Sequence, residues 1–245
     1  MDVIGEIECP VVVIPDFEDK SLSSLERNME ILERKKIPYF ADPVLDPFPF
    51  GLAESLERYI GFRKRYPGVR MLMGIGNQTE LVEADSTGIN AFLAAVCEEL
   101  SIDAVLTTSV ISWAAGAVKE FDLARRLMAW ANREKSVPKY AGAGLVTLRD
   151  LPHEVFGGEE LFRMHKALRD KNYRIFVTPP FLYVFNRDIF IKCQSAGEVW
   201  EQLDDLEPSH AFYLGRELEK AETALKLGKR YVQDQPLDWG YVSKS

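Results

Sequence analysis

The chain has 245 residues, 47% of them apolar and 28% charged, enough to bury a core for one large domain or two small ones. A net charge of -8 and a pI near 5.1 argue against a nucleic-acid or anionic-membrane surface, because no run of Lys and Arg is dense enough to drive counterion release. No apolar run approaches the roughly 18 residues of a spanning helix, and Met1-Asp2-Val3-Ile4-Gly5-Glu6 lacks the basic start of a signal peptide, so a cytoplasmic location is expected.

Four units follow one another, each an apolar strand, a polar loop and a helix, with a period of about 30 residues. The strands are read at Cys9 to Pro15, Tyr39 to Asp42, Arg70 to Gly74 and Asp103 to Thr108. The first helix opens with Ser23 and Glu26 in capping-box spacing and carries Leu22, Leu25, Met29 and Leu32 on one side. The second presents Leu52, Leu56, Tyr59 and Ile60 and ends at Tyr66-Pro67-Gly68. The third, capped by Asp85 or Ser86, buries Ile89, Phe92, Leu93, Val96 and Leu100. The fourth runs from Ala117 to Lys135 with Phe121, Ala124, Leu127 and Met128 inward. Repeated βα units predict a parallel sheet. Four fall short of the eight that close a (β/α) barrel, so the fold class is α/β with a partial TIM-type barrel.

Beyond Pro138 the repeat stops. Short apolar runs at Tyr173 to Val177, Phe181 to Phe185 and Ile189 to Cys193 are separated by Thr178-Pro179-Pro180 and Asn186-Arg187-Asp188, which predicts an antiparallel meander. Helices are expected at Ala196 to Leu206 and at Ser209 to Leu227, the latter with Phe212, Leu218 and Leu225 on a shared side. The tail from Tyr231 to Gly240 is too aromatic for a solvated linker, and Trp239 and Tyr213 are expected to dock it. The domains are therefore 1–140, a half barrel, and 141–245, a smaller α+β region.

Polar residues end the four strands, where an α/β sheet gathers loop backbone and side chains around a ligand. Asp42, stiffened by Pro43 and Pro47, could pair two parallel N–H donors such as the amino-amide edge of a pterin or guanine ring, or simply form an Asp-Pro turn. Gly74-Ile75-Gly76-Asn77 lacks the third glycine of a dinucleotide fingerprint, and no acidic residue ends a following strand, which excludes a Rossmann site. Gly74 and Gly76 let backbone approach a flat ligand, and Asn77 can donate and accept at its edge. Asp16 completes the row. Thr107, Thr108 and Ser109 are candidate anion contacts or a helix cap, with no Lys or Arg among them. Glu80, Glu83 and Asp85 enrich the entrance of the next helix. His210, near a helix start, is a candidate base or an ordinary packed or exposed histidine. Three histidines and three separated cysteines, Cys9, Cys97 and Cys193, predict buried thiols and no zinc site; magnesium on Asp16, Asp42 and Asp46 is a minor alternative.

These residues resemble the pterin-binding superfamily of dihydropteroate synthases and corrinoid-linked methyltetrahydrofolate methyltransferases, and within it the dihydropteroate synthase-related proteins of archaea and methylotrophs. Ala41-Asp42-Pro43-Val44-Leu45 is similar to the strand segment whose Asp grips the pterin. The segment Pro67 to Asn77 is similar to the methyltransferase strand whose Asn faces it. The runs Glu83 to Asn90, Val118 to Leu127 and Ser209 to Gly215 are similar to the related proteins specifically, so the likeness covers nearly the whole chain. It implies a reduced pterin of folate or methanopterin type, bound by Asp42, Asn77, Gly74, Gly76 and Asp16, in tetrahydromethanopterin or folate-type C1 metabolism. Relatives carry a longer N-terminal portion holding the first barrel strands. A pterin-dependent transferase built this way needs a second half barrel, from another copy of the chain or from a partner chain. The other expectation is a noncatalytic subunit that completes such a barrel. Synthases also place basic residues on the last strands for diphosphate, and Asn77-Gln78-Thr79 and Thr107-Thr108-Ser109 have none.

Overall fold

The structure, a computed structural model, describes residues 9–150, 153–203 and 206–244. The start Met1–Glu6, read above for a leader, lies outside them, as do residues 204–205 within the helix expected from Ala196 to Leu206. No described helix is long and apolar enough to cross a membrane. The chain forms two compact units, Met1–Leu145 and Val146–Ser245. The division falls later than the expected boundary near residue 140 because Leu145 packs with the first core.

Unit 1 holds strands β1 (Val11–Val13), β2 (Tyr39–Ala41), β3 (Leu72–Gly74) and β4 (Ala104–Leu106). β1 pairs with β2 and β3 with β4, both parallel, and a parallel bridge from Ala41 to Met71 joins the two pairs. Neighbours in the sheet are thus neighbours in sequence, the order produced by repeated βα units that all wind the same way. The strands do not close into a barrel. Helices α1 (Ser23–Arg34), α2 (Leu52–Arg65), α4 (Ser86–Glu99) and α5 (Ala117–Glu134) follow the strands, with a short α3 (Gly76–Glu80) directly after β3.

Alternation along the strands turns Val13, Ala41, Met71 and Met73 toward one core, shared with Leu25, Met29 and Leu32 of α1, Tyr59 and Phe62 of α2, and Leu93 of α4. The opposite face carries Val12, Ile14 and Leu106, which stand 49%, 52% and 62% exposed. The α1 stripe is buried as expected, but its cap differs. Leu22 holds the N-cap position at φ 68° with no side-chain bond, and Asp19 instead accepts from the Ser24 N–H and hydroxyl, both at 2.6 Å. Glu26 pairs with Arg65 of α2. In α2 the buried line is Ser55, Tyr59 and Phe62, and Ile60 is exposed. In α4, Phe92 is exposed while Ser86 and Asn90 are buried, because both bond the buried Glu120 of α5, at 2.5 and 2.9 Å. The apolar stripe otherwise packs as expected, with Leu93 buried and Ile89, Val96 and Leu100 against the same core, and the polar cluster joins the helix pair beside it.

Unit 2 holds the meander β5 (Arg174–Thr178), β6 (Phe181–Phe185) and β7 (Phe190–Cys193), with α6 (Gly158–Ala167), α7 (Ala196–Trp200) and α8 (Pro208–Leu227). Both sheet faces are covered. Ile175, Leu182, Val184 and Ile191 pack on Leu214 and Leu218 of α8, while Phe176, Tyr183, Phe185 and Phe190 pack on Leu161 of α6. Phe212, expected inward, is exposed. The edge of β5 is occupied by a side chain of the tail: Gln233 accepts from the Ile175 N–H and donates to the Tyr173 carbonyl, both at 2.9 Å. Tyr213 fixes the same tail through Asp234 at 2.8 Å, and Lys229, fully buried, lies 4.6 Å from the Trp239 ring centre and donates to the Thr147 carbonyl at 2.8 Å. Cys97 and Cys193 are buried, which pushes their thiols up to about 12 and about 11, whereas Cys9, expected inside, is exposed.

Candidate functional site

Asp42 stands one residue past β2. Its N–H donates to the Val13 carbonyl at 2.9 Å, continuing the β1–β2 ladder and fixing where the side chain departs. The residue is only 8% exposed. Oδ1 accepts two hydrogen bonds, from the Val44 N–H at 2.8 Å and from the hydroxyl of fully buried Tyr59 on α2. Oδ2 makes no hydrogen bond within the described residues and lies 3.9 Å from where a Cβ on Gly74 would sit, so it looks toward the end of β3. Burial pushes the Asp42 carboxyl above the usual carboxylate range, against the pull of its two donors. Burial, and then the Asp42 charge, drive the Tyr59 hydroxyl well above the usual phenol value and keep it a neutral donor.

The segment after Asp42 is clamped from three elements. Asp46 Oδ2 accepts from Lys20 at 2.8 Å and from Arg58 of α2 at 2.6 Å; Arg58 also donates to the Val44 carbonyl at 2.9 Å. Gln78 of α3 donates to the Asp46 carbonyl at 2.9 Å. Burial works against the Asp46 charge, but Lys20 and Arg58 outweigh it and hold the carboxyl below its ordinary value. These bonds fix the loop, and with it the position of the Asp42 carboxylate.

Asn77 is exposed on the first turn of α3, a helix beyond the four read in this unit from sequence. A Cβ on Gly76 would meet the Thr108 hydroxyl at 2.9 Å, so this glycine lets the segments after β3 and β4 touch. Asp16 is exposed, ion-paired with Arg27 at 3.2 Å, and its N–H donates to Ser24 Oγ at 2.8 Å. Asp16, Asp42 and Asp46 therefore each have separate partners. No described group of three His, Cys, Asp or Glu is arranged to hold a metal ion.

After β4 a carboxylate already sits on the backbone donors. Glu80 accepts the Val110 and Ile111 N–H groups, each at 2.9 Å, together with the Thr108 hydroxyl, and these bonds hold its carboxyl below the usual range. Ser109 donates to the Ala115 carbonyl at 3.2 Å, and Thr107 Oγ1 is buried without a partner. His210 is exposed on the first turn of α8, in unit 2.

Tyr59 and Glu80 were read from sequence as a core residue and a helix-entrance acid. A tyrosine in a buried stripe does carry a signal, since its hydroxyl needs a partner that an aliphatic residue would not. The identity of that partner, 17 residues away, depends on the strand–helix crossing.

Residues 186–234, from the end of β6 into the tail, match the family model PterinBD-DUF4346. The chain is also 30% identical, over 247 aligned positions, to an uncharacterized protein of Methanocaldococcus jannaschii. The alignment takes in 90% of this chain and 47% of that protein, so the chain spans about half the length of the curated relative it matches. No solved structure matches.

Proposed function

We propose that this chain is a pterin-binding protein whose unit 1 contributes half of a (β/α) barrel and holds a reduced pterin at the C-terminal ends of its strands. The observation that carries this reading is the Asp42 carboxylate, buried and anchored through Oδ1, with Oδ2 open toward Gly74 at the end of the neighbouring strand. A charged acceptor in that position suits the N–H edge of a pterin, and charge-assisted bonds of this kind are the strong ones. The match of residues 186–234 to PterinBD-DUF4346 supports the same ligand class. In this reading Gly74 and Gly76 admit the flat ring, Asn77 reaches its edge, and Asp16 stands at the rim. The chain is then a cytoplasmic member of the dihydropteroate synthase-related group, acting in tetrahydromethanopterin or folate-type C1 metabolism.

The reaction is transfer at the pterin's C6 methylene or N5, accelerated largely by positioning. Thr107, Thr108 and Ser109 are the remaining candidates for an anionic co-substrate. Glu80 puts a negative charge on the donors beside them, which disfavours a diphosphate-releasing step. Neither the pterin reading nor its transfer chemistry calls for a metal.

Calorimetric titration of the full chain with a tetrahydropterin tests the site. Wild type binds, and Asp42→Asn loses about tenfold or more in affinity, as expected when a charged hydrogen-bond acceptor is neutralised. Equal affinities would remove Asp42 from the site.

A second reading, a noncatalytic subunit that completes a barrel, is favoured by the open apolar face at Val12, Ile14 and Leu106. A groove of about 380 Å³ along β1, lined by Val11 to Asp16 and by Ile31 and Leu32 of α1, offers a further strand its backbone partners. The partner is a second copy of this chain or another chain with the remaining βα units. Turnover by this chain alone would decide against the subunit reading.

A further inference from the structure

We propose that Tyr59 is a positioning residue for Asp42, saturating Oδ1 so that Oδ2 is the one acceptor the carboxylate offers to a ligand. A carboxylate oxygen has two lone-pair sites, and those of Oδ1 are taken by the Val44 N–H and the Tyr59 hydroxyl. Oδ2 has neither donor and faces Gly74. The ligand therefore meets a single oxygen, and its N–H donors share Oδ2 in place of pairing one with each oxygen. Tyr59 suits this role because it cannot move away: it is fully buried, held by α2 in the core beneath the sheet, and its hydroxyl would otherwise be buried without a partner. The other titratable groups acting on the pair are Arg58, on the same helix and committed to Asp46, and Cys97 of α4, a buried thiol.

The ligand named here rests on the pterin reading; the pairing of Tyr59 with Asp42 does not, and the experiment separates the two. Carbon-13 NMR of the Asp42 carboxyl in the ligand-free full chain, assigned with Asp42→Asn, is compared between wild type and Tyr59→Phe. Losing a donor to the ionised form raises the midpoint of the Asp42 titration. Tetrahydropterin affinity falls about tenfold, and the pH below which binding is lost moves upward with the midpoint. A folded Tyr59→Phe with the wild-type midpoint overturns the proposal. Should that variant not fold, 3-fluorotyrosine at position 59 keeps the shape and strengthens the donor; the midpoint then falls, and an unmoved midpoint overturns the proposal equally. Wild type that fails to bind tetrahydropterin counts against the pterin reading, while the carboxyl titration still decides the role of Tyr59.

Discussion

The two sheets of this chain are finished to different degrees. The meander of unit 2 is covered on both faces, by α6 and by α8, and its β5 edge is occupied by Gln233. Among the described residues, the parallel sheet of unit 1 has its helices packed on one face, and Val12, Ile14 and Leu106 stand exposed on the other. Apolar side chains contribute to stability where they leave water, so equal residues in the two sheets have unequal worth. The unfinished sheet is also the one that carries an incompletely bonded carboxylate, Asp42, whereas the buried Glu217 of unit 2 accepts from Tyr231 at 2.8 Å and pairs with Lys220 at 2.5 Å. Two buried carboxylates thus differ in how fully they are bonded, one with an oxygen left over and one without.

The contrast is sharpest at single leucines. Leu182→Ala, at a fully buried position in the central strand of unit 2, should cost about 2–5 kcal/mol, read from chemical denaturation of the full chain. A small cost would mean that this core is loosely packed and that the two sheets are alike. Asp42→Asn tests the other side of the comparison, with the opposite sign. The folded-state pKa of Asp42 lies above its ordinary value of 3.8, so the native state holds its proton more tightly than the unfolded chain and stability falls as pH rises past that value. An asparagine cannot ionise; the variant should melt higher than wild type at neutral pH, and the gain should disappear in acid below the ordinary value. A lower melting temperature at neutral pH would show that the carboxylate stabilises the fold. Leu106→Ser, on the open face, should change stability by no more than about 0.5 kcal/mol while lowering self-association measured by light scattering. A cost approaching that of Leu182→Ala would show that the face is covered in solution.

Strand placement was legible because each strand of unit 1 is a short apolar run closed by a polar residue, and the meander because Pro179-Pro180 and Asn186-Arg187-Asp188 punctuate it. The α1 stripe was legible for the same reason, its apolar residues recurring at helical spacing. Helix α3 was not, since Gly76-Asn77-Gln78-Thr79-Glu80 has neither apolar period nor good helix formers at its start. The α2 stripe was misjudged at Ile60 because burial there is set by how the helix lies on β2 and β3, which hydrophobicity alone does not report. At the candidate site, a polar residue at a strand end can be read from one sequence. Which of its oxygens is engaged cannot, because Tyr59 and Val44 reach Asp42 only after helix and loop have packed. Likewise the acid at position 80 looked like a response to a helix dipole, yet it serves the backbone of a segment 30 residues further on.

The side chain of Gln233 imitates a peptide unit. Its carbonyl and amide offer the rim of β5 the same acceptor and donor that a neighbouring chain would bring, but on a stub that ends after one exchange. The meander is thereby sealed by a plug that cannot propagate, and any event that draws the tail away restores a row of free backbone groups able to recruit another molecule. Keeping the tail seated is thus what keeps this rim capped.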